Sequence, residues 1–215
     1  MPSYKLRYFN LRGRAEPIRI LFALADVPFE DERIPFEDRA TIKDTTPFGQ
    51  FPVLEVDGTP IPQTNAILRY VAKQYGFYGT DLLEEARIDG FADQVQDFIN
   101  DFYKWHYAAL GFPSGDKDAL YKELFVPARD KNFGIFQKFL KQSSSGFLVG
   151  SKISFADIHL ASLVDHLETL VPPPQLYDGF PELKAHKEKV LAVPAIAKHV
   201  ETRVEDRCLY SQMTK

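Results

Sequence analysis

Ser3-Tyr4-Lys5-Leu6-Arg7-Tyr8, then Arg12-Gly13-Arg14, then Pro17-Ile18-Arg19-Ile20-Leu21-Phe22-Ala23-Leu24-Ala25 is the stretch on which the fold turns. Tyr4, Leu6 and Tyr8 fall on one face of an alternating segment and Ser3, Lys5 and Arg7 on the other, as in a half-buried strand. Ile18, Leu21, Phe22 and Ala25 then recur at helical spacing, and Pro17 suits the first turn of a helix, where its missing N–H is no loss. The opening unit is strand, loop, helix.

Working outward, a second short strand is expected around Phe29 to Ile34 and a weak helix around Glu37 to Asp44. Val53-Leu54-Glu55-Val56, the Asp57-Gly58 turn and Thr59 to Ile61 read as a hairpin, because Asp-Gly readily takes the positive φ angles of a tight turn. Ile67, Leu68, Val71, Ala72 and Tyr75 mark a helix over Gln63 to Tyr75, and Gly76 is its stop. Past Asp81 the strand signals largely vanish. The clearest helix carries Ile88, Phe91, Ala92, Val95, Phe98, Ile99 and Phe102 on one apolar face, with an acidic face opposite. Further helices are expected near Leu120 to Gln142 and Phe155 to Val171, and after Pro181 and Pro194. The fold class is α/β plus all-α: an α/β layer over residues 1–79, then an all-helical domain over 80–215.

Composition removes several function classes. The 215 residues are 45% apolar and 26% charged, with 12 Gly and 15 Pro, which excludes a disordered or collagen-like chain. Apolar runs stop far short of the roughly 20 residues a spanning helix needs, so no membrane partner is expected. No apolar stretch before a cleavage site follows Met1, and the single Cys208 cannot form an internal disulfide, so the cytoplasm is the expected compartment. A net charge of −4 without a long basic cluster argues against nucleic acid. Gly-x-Gly-x-x-Gly, Walker, Gly-x-Ser-x-Gly and His-Glu-x-x-His motifs are all missing. His159 and His166 share a predicted helix without a Cys or carboxylate at ligand spacing, so no metal is expected.

Three places could carry chemistry. Tyr8 closes the first strand ahead of a Gly-containing loop, where open α/β sheets place ligands; it either donates to an anion or simply continues the core face of Tyr4 and Leu6. Pro52, in Gln50-Phe51-Pro52-Val53, either starts a strand or fixes a bend through a cis bond. Gln63-Thr64 opens a helix whose first amides and dipole suit a carboxylate, and a plain N-cap is the alternative. Ser154-Phe155-Ala156-Asp157 fits a capping box, a matter of stability.

Together with Tyr4-Lys5-Leu6-Arg7-Tyr8-Phe9-Asn10, Arg12-Gly13-Arg14-Ala15-Glu16, Pro47-Phe48-Gly49-Gln50-Phe51-Pro52-Val53-Leu54, Gln63-Thr64-Asn65-Ala66-Ile67 and Ser154-Phe155-Ala156-Asp157, the sequence resembles the cytosolic glutathione transferases over nearly its whole length. Within them it is most similar to the sigma class and its nematode relatives, a class that includes haematopoietic-type prostaglandin D synthase. The resemblance implies a thioredoxin-like first domain, a helical second domain, glutathione as co-substrate and a homodimer. It makes Tyr8 the residue that hydrogen-bonds the glutathione sulfur, with Arg14 in support. Gln63 and Thr64 would receive the γ-glutamyl carboxylate, Phe51 and Pro52 the cysteinyl unit, and Arg39, Lys43, Gly49 and Gln50 would complete the glutathione site. Asp97 would reach the glutathione of the partner subunit, unless the Asp89, Asp93, Asp97 stripe is only a solvated face. Phe48 would anchor the dimer, or else pack under its own loop. Phe9, Arg12, Gly13, Tyr103, Trp105 and Leu209 are the implied second-substrate pocket. Arg39 stands where many sigma enzymes have Trp, and Thr64 where Ser is usual. The implied activity is conjugation of glutathione to electrophiles in detoxification; isomerisation of prostaglandin H to D, and carriage of haem or other apolar anions, are the alternatives.

Overall fold

The computed structural model describes residues 2–203. The chain divides into two compact units, one running to Tyr78 and resuming at Val193, the other Gly79–Ala192.

In the first unit, β1 (Tyr4–Phe9), α1 (Glu16–Ala25), β2 (Glu30–Ile34), β3 (Val53–Val56), β4 (Thr59–Pro62) and α2 (Thr64–Tyr75) follow one another. The sheet order is β2-β1-β3-β4, with β1 and β2 parallel and the other pairs antiparallel. Alternation along β1 is as the sequence dictates: Tyr4, Leu6 and Tyr8 are buried, while Lys5 and Arg7 pair across neighbouring strands with Glu30, Glu32 and Glu55. On the buried face, Ile18, Leu21 and Phe22 of α1 and Ile67, Leu68 and Val71 of α2 are fully enclosed. The Asp57-Gly58 turn has φ of 48° and 81°, the mirror-image turn whose twist suits a two-residue hairpin.

The helix expected over Glu37 to Asp44 breaks into two short 3₁₀ turns, Phe36–Ala40 and Lys43–Thr45. The N–H groups and hydroxyls of Thr41 and Thr45 both donate to the carbonyls of Asp38 and Ile42 three residues back, the hydroxyls at 2.9 and 2.7 Å, which closes each turn locally. A second difference is the place of α9 (Pro194–Thr202), which the sequence reading grouped with the helical domain. Its contacts lie against α1, where its His199 meets Glu16.

The second unit is helical: α3 (Leu82–Ala109), α4 (Lys117–Leu120), α5 (Val126–Gln142), α6 (Phe155–Leu167), α7 (Pro173–Leu176) and α8 (Pro181–Leu191). Asp81 caps α3, accepting from the N–H groups of Leu83 and Glu84 at 2.9 Å each. The helix expected from Leu120 onward is interrupted by a π turn over Tyr121–Phe125, which ends two residues before Pro127, a residue with no N–H to give to the carbonyl four residues back. α6 is buried around most of its circumference, the signature of a helix at the centre of its unit. Its capping box is formed, and Asp157 is fully buried within it.

Candidate functional site

Tyr8 ends the buried face of β1, and the next turn, Gly13–Ala15, passes directly over its phenol ring. Gly13 has φ +41°, and a Cβ there would stand 2.6 Å from the Tyr8 hydroxyl, so only glycine permits this approach. The N–H of Arg14 donates to the Tyr8 hydroxyl oxygen at 3.2 Å. Accepting this bond uses a lone pair of the phenol and does not consume its proton, so the O–H retains its capacity as a donor. An N–H on the oxygen also draws charge from the O–H bond and strengthens it as a donor.

The carbonyl of Arg14 accepts from the hydroxyl of Thr64 at 3.5 Å, which joins the Tyr8 loop to the first turn of α2. Just ahead, Gln63 holds φ 76°, ψ 124°, a sparsely populated conformation for a residue with a side chain. Its carboxamide Nε2 donates to Gln50 Oε1 at 3.5 Å. Gln50 precedes the Phe51–Pro52 peptide, which is cis. Tyr8, Gly13, Arg14, Thr64, Gln63 and Gln50 therefore form one run of neighbours ending on the amides and positive dipole of a helix N-terminus, chemistry suited to a carboxylate.

Alongside lies an aromatic group: the Phe9 ring is 5.1 Å from that of Phe36 and 5.4 Å from that of Phe51. The guanidinium of Arg39 sits 4.8 Å over the Phe36 ring and donates to the Phe36 carbonyl. Gly49 takes φ +64°, and Phe48 beside it is 62% exposed, so it does not pack under its own loop. The side chain of Lys43, with Leu209 and Cys208, lies outside the described residues.

Beneath the loop is a charged group that periodicity alone overlooked. Glu16, buried, meets His199 Nε2 at 3.0 Å, with Arg19 and Arg203 each at 3.5 Å. Burial would raise its pKa, but the hydrogen bond and charge of His199 and the charges of Arg19 and Arg203 prevail and hold it at about 2. The sequence did contain a signal: Arg19 interrupts the otherwise apolar run from Pro17 to Ala25 on a helix that must be buried.

Other expected site residues belong to the helical unit. Asp97 is exposed on α3, as is Asp93, while the next acid along, Asp101, pairs with Lys131 and accepts from Asn132 of α5. Tyr103 is 56% exposed. Trp105 is enclosed by Phe102, Tyr121 and Phe125, the last at 4.1 Å, and is part of that unit's core. His166 faces His106 of α3, Nε2 to Nε2 at 2.7 Å, and not His159. Among the described residues no group of three or more His, Cys, Asp or Glu is placed to hold a metal, and no helix is long and apolar enough to cross a membrane.

A four-stranded sheet with one parallel edge pair, a cis proline before β3 and a separate helical unit define a thioredoxin-like domain joined to an all-helical one. Residues 4–73 match the glutathione S-transferase N-terminal domain and residues 96–203 the glutathione S-transferase C-terminal domain. The chain is 44% identical to "Probable glutathione S-transferase 8" of Caenorhabditis elegans over 95% of its own length and 98% of that protein. Among solved structures it is similar to monomeric Na-GST-3, a glutathione S-transferase of the hookworm Necator americanus, at 47% identity and TM-score 0.89, covering 94% and 98% of the two chains. A prostaglandin synthase D of Nilaparvata lugens superposes with TM-score 0.85 at 37% identity, covering 95% of this chain and all of that one. The chain belongs to the glutathione S-transferase family. It is a transferase that uses glutathione as co-substrate and conjugates it to electrophilic substrates.

Proposed function

We propose that Tyr8 is the catalytic residue, its O–H donating to the sulfur of glutathione and holding it as the thiolate. The observation that carries this reading is the Arg14 N–H on a lone pair of the Tyr8 oxygen, which orients the phenol without consuming its proton. A thiol of ordinary pKa, about 8.5, is only a few per cent ionised at neutral pH, and each unit of lowering corresponds to about 1.4 kcal/mol. In the reaction the thiol proton passes to solvent and the sulfur lone pair forms the new S–C bond as the leaving group departs with its electrons. Tyr8 keeps its proton throughout. Gln63, Thr64 and the α2 N-terminus are assigned to the γ-glutamyl carboxylate, Gln50, Gly49, Arg39 and Lys43 to the remainder of the peptide, and the Phe51–Pro52 backbone to its cysteinyl unit. Tyr8→Phe removes only the hydroxyl and should lower turnover about a hundredfold with glutathione KM nearly unchanged. Unchanged turnover would remove the assignment.

The class is proposed to be sigma-like, the role detoxification in the cytoplasm, and the assembly a homodimer in which exposed Phe48 is the anchor and Asp97 reaches the partner's glutathione. The exposure of Phe48 supports the anchor. The similar Na-GST-3 of Necator americanus is monomeric, which is the alternative state. Sedimentation should show a dimer that Phe48→Ala weakens and Asp97→Asn does not; a fully active monomer would refute the shared site.

A second reading, isomerisation of a prostaglandin endoperoxide, is supported by the likeness to the Nilaparvata lugens synthase. The same thiolate would attack one peroxide oxygen and break the O–O bond, the other oxygen taking a proton; loss of the C–H proton beside the S–O bond then forms the carbonyl and expels the thiolate, so no net oxidant is needed. Equal product distributions with and without enzyme would exclude it.

A further inference from the structure

Arg19 sits on the buried face of α1 at 1% exposure, with Ile18 and Ile20 on either side. Beyond its 3.5 Å contact with the Glu16 carboxylate, its guanidinium reaches in two directions. Nε lies 3.1 and 3.0 Å from the two carboxylate oxygens of Asp31 on β2, and Arg33 Nε donates to the same carboxylate at 2.8 Å. Nη1 donates to the carbonyls of Leu11 (2.8 Å) and Arg12 (3.3 Å), the two residues immediately before Gly13. Nη2 is buried with no hydrogen-bond partner among the described residues.

A charged group so enclosed is costly, and an apolar side chain of similar volume would fill the space without that cost. What an apolar residue cannot supply is direction. The fork ties the peptides of Leu11 and Arg12 to β2, and the chain then has one residue, Gly13, before the N–H of Arg14 that meets the Tyr8 oxygen. The parallel register places Leu6 opposite Asp31 and Tyr8 opposite Arg33, so the anchor and the phenol stand on the same pair of strands. Asp31, Arg19, the Leu11 and Arg12 carbonyls, the Arg14 N–H and the Tyr8 hydroxyl form one continuous path.

We propose that Arg19 is a positioning residue for glutathione activation: held by Asp31, it fixes the loop that aims the Arg14 N–H at Tyr8, and so sets how well the phenol donates to sulfur. This rests on the reading of Tyr8 given above. Lysine in its place has one ammonium and no fork, and cannot hold a carboxylate and two carbonyls in these directions.

A double-mutant cycle decides it, using Arg19→Lys, Tyr8→Phe and the pair, each checked for folding by circular dichroism and read by the ultraviolet titration of bound thiolate and by kcat/KM. Arg19→Lys should raise the apparent thiolate pKa and lower kcat/KM about tenfold, since small misplacements of a catalytic group have effects of that size or more. On the Tyr8→Phe background the same substitution should change either quantity less than about twofold, because its route of action is gone. Equal fold-changes on both backgrounds would make Arg19 a general stabiliser and overturn the proposal. If Tyr8→Phe alone leaves the thiolate titration unmoved, the Tyr8 reading fails, an outcome distinct from the failure of Arg19. Asp31→Asn, which leaves Arg19 in place and weakens its anchor, is run through the same cycle and must show the same non-additivity even if Arg19→Lys folds poorly; additive effects there overturn the proposal equally.

Discussion

The Cα of Gly13 lies so close over the Tyr8 phenol that a Cβ on it would be 2.6 Å from the hydroxyl and 3.0 Å from the ring carbon Cε1. Both the space and the backbone demand glycine, since φ is +41°. Gly13→Ala should therefore push the phenol or lift the loop, stretching the Arg14 N–H bond. Left-handed backbone costs an alanine roughly 1–2 kcal/mol, so stability should fall by about that much. Turnover should fall at least about tenfold, because displacement at a reacting group is amplified in rate. Thermal melts and steady-state kinetics on one preparation give both numbers. Retained turnover would mean that the loop does not govern Tyr8.

Gln63 makes the opposite prediction. Its φ of 76° is strained for any side chain but natural for glycine. Relief of roughly 1–3 kcal/mol of strain should match or exceed the roughly 0.5–1 kcal/mol entropic penalty of a glycine. Gln63→Gly should then be as stable as the parent or more so, yet bind glutathione about tenfold more weakly, because a carboxamide beside the α2 N-terminus is lost. Calorimetric titration against Tm tests the separation. A variant that loses both together would show that Gln63 is a structural residue only.

Acid stability should reflect Glu16. Its carboxyl has a folded pKa of about 2 against an ordinary value of 4.5, so its contribution is fully present above pH 4.5 and is lost as pH falls through 2. The shift corresponds to roughly 3 kcal/mol. Glu16→Gln should be markedly less stable at pH 7 and show a flatter decline of stability between about pH 4.5 and 2 than the parent. Urea midpoints across that range are the measurement, and parallel curves for the two proteins would contradict it.

Local periodicity carried most of the architecture. Alternation along Tyr4 to Tyr8 gave the strand, Asp57-Gly58 its hairpin, and Gly76 the end of α2, where φ is 81°. The 36–45 region was less legible because it closes as short turns, in which the Thr41 and Thr45 N–H groups bond carbonyls three residues back and their hydroxyls add to the same carbonyls. For the proposed site, the residues Tyr8, Arg14, Gln63 and Thr64 were readable, but the backbone features at Arg14 and Gln63 were not. The Arg14 contribution comes from a main-chain N–H, which any residue there would possess, and the Gln63 contribution from a backbone angle its side chain does not announce. The attachment of α9 to the first unit rests on His199 meeting Glu16 across 183 positions of sequence, a separation no local pattern encodes.

The capping box of α6 supplies the last prediction, because there the acid has more partners than a cap requires. Asp157 is fully buried and accepts from the Ser154 N–H (2.9 Å), the Ser154 hydroxyl (2.7 Å) and the Leu148 N–H (2.8 Å), while His186 Nε2 stands 2.9 Å away. It thus fixes the loop before α6 and a side chain of α8 as well as the helix start. Ser154→Ala removes one cap acceptor and should cost about 1 kcal/mol. Asp157→Ala strands several buried donors at once and should cost about 3–5 kcal/mol, enough to leave much of the helical unit unfolded at physiological temperature. Asp157→Asn keeps one acceptor oxygen and the shape, and should fall between the two. Because the box lies in the helical unit, glutathione KM of the folded fraction should be unchanged at low temperature in all three variants. Urea titrations that returned equal losses for Ser154→Ala and Asp157→Ala would show that the bonds to Leu148 and His186 contribute nothing beyond the cap.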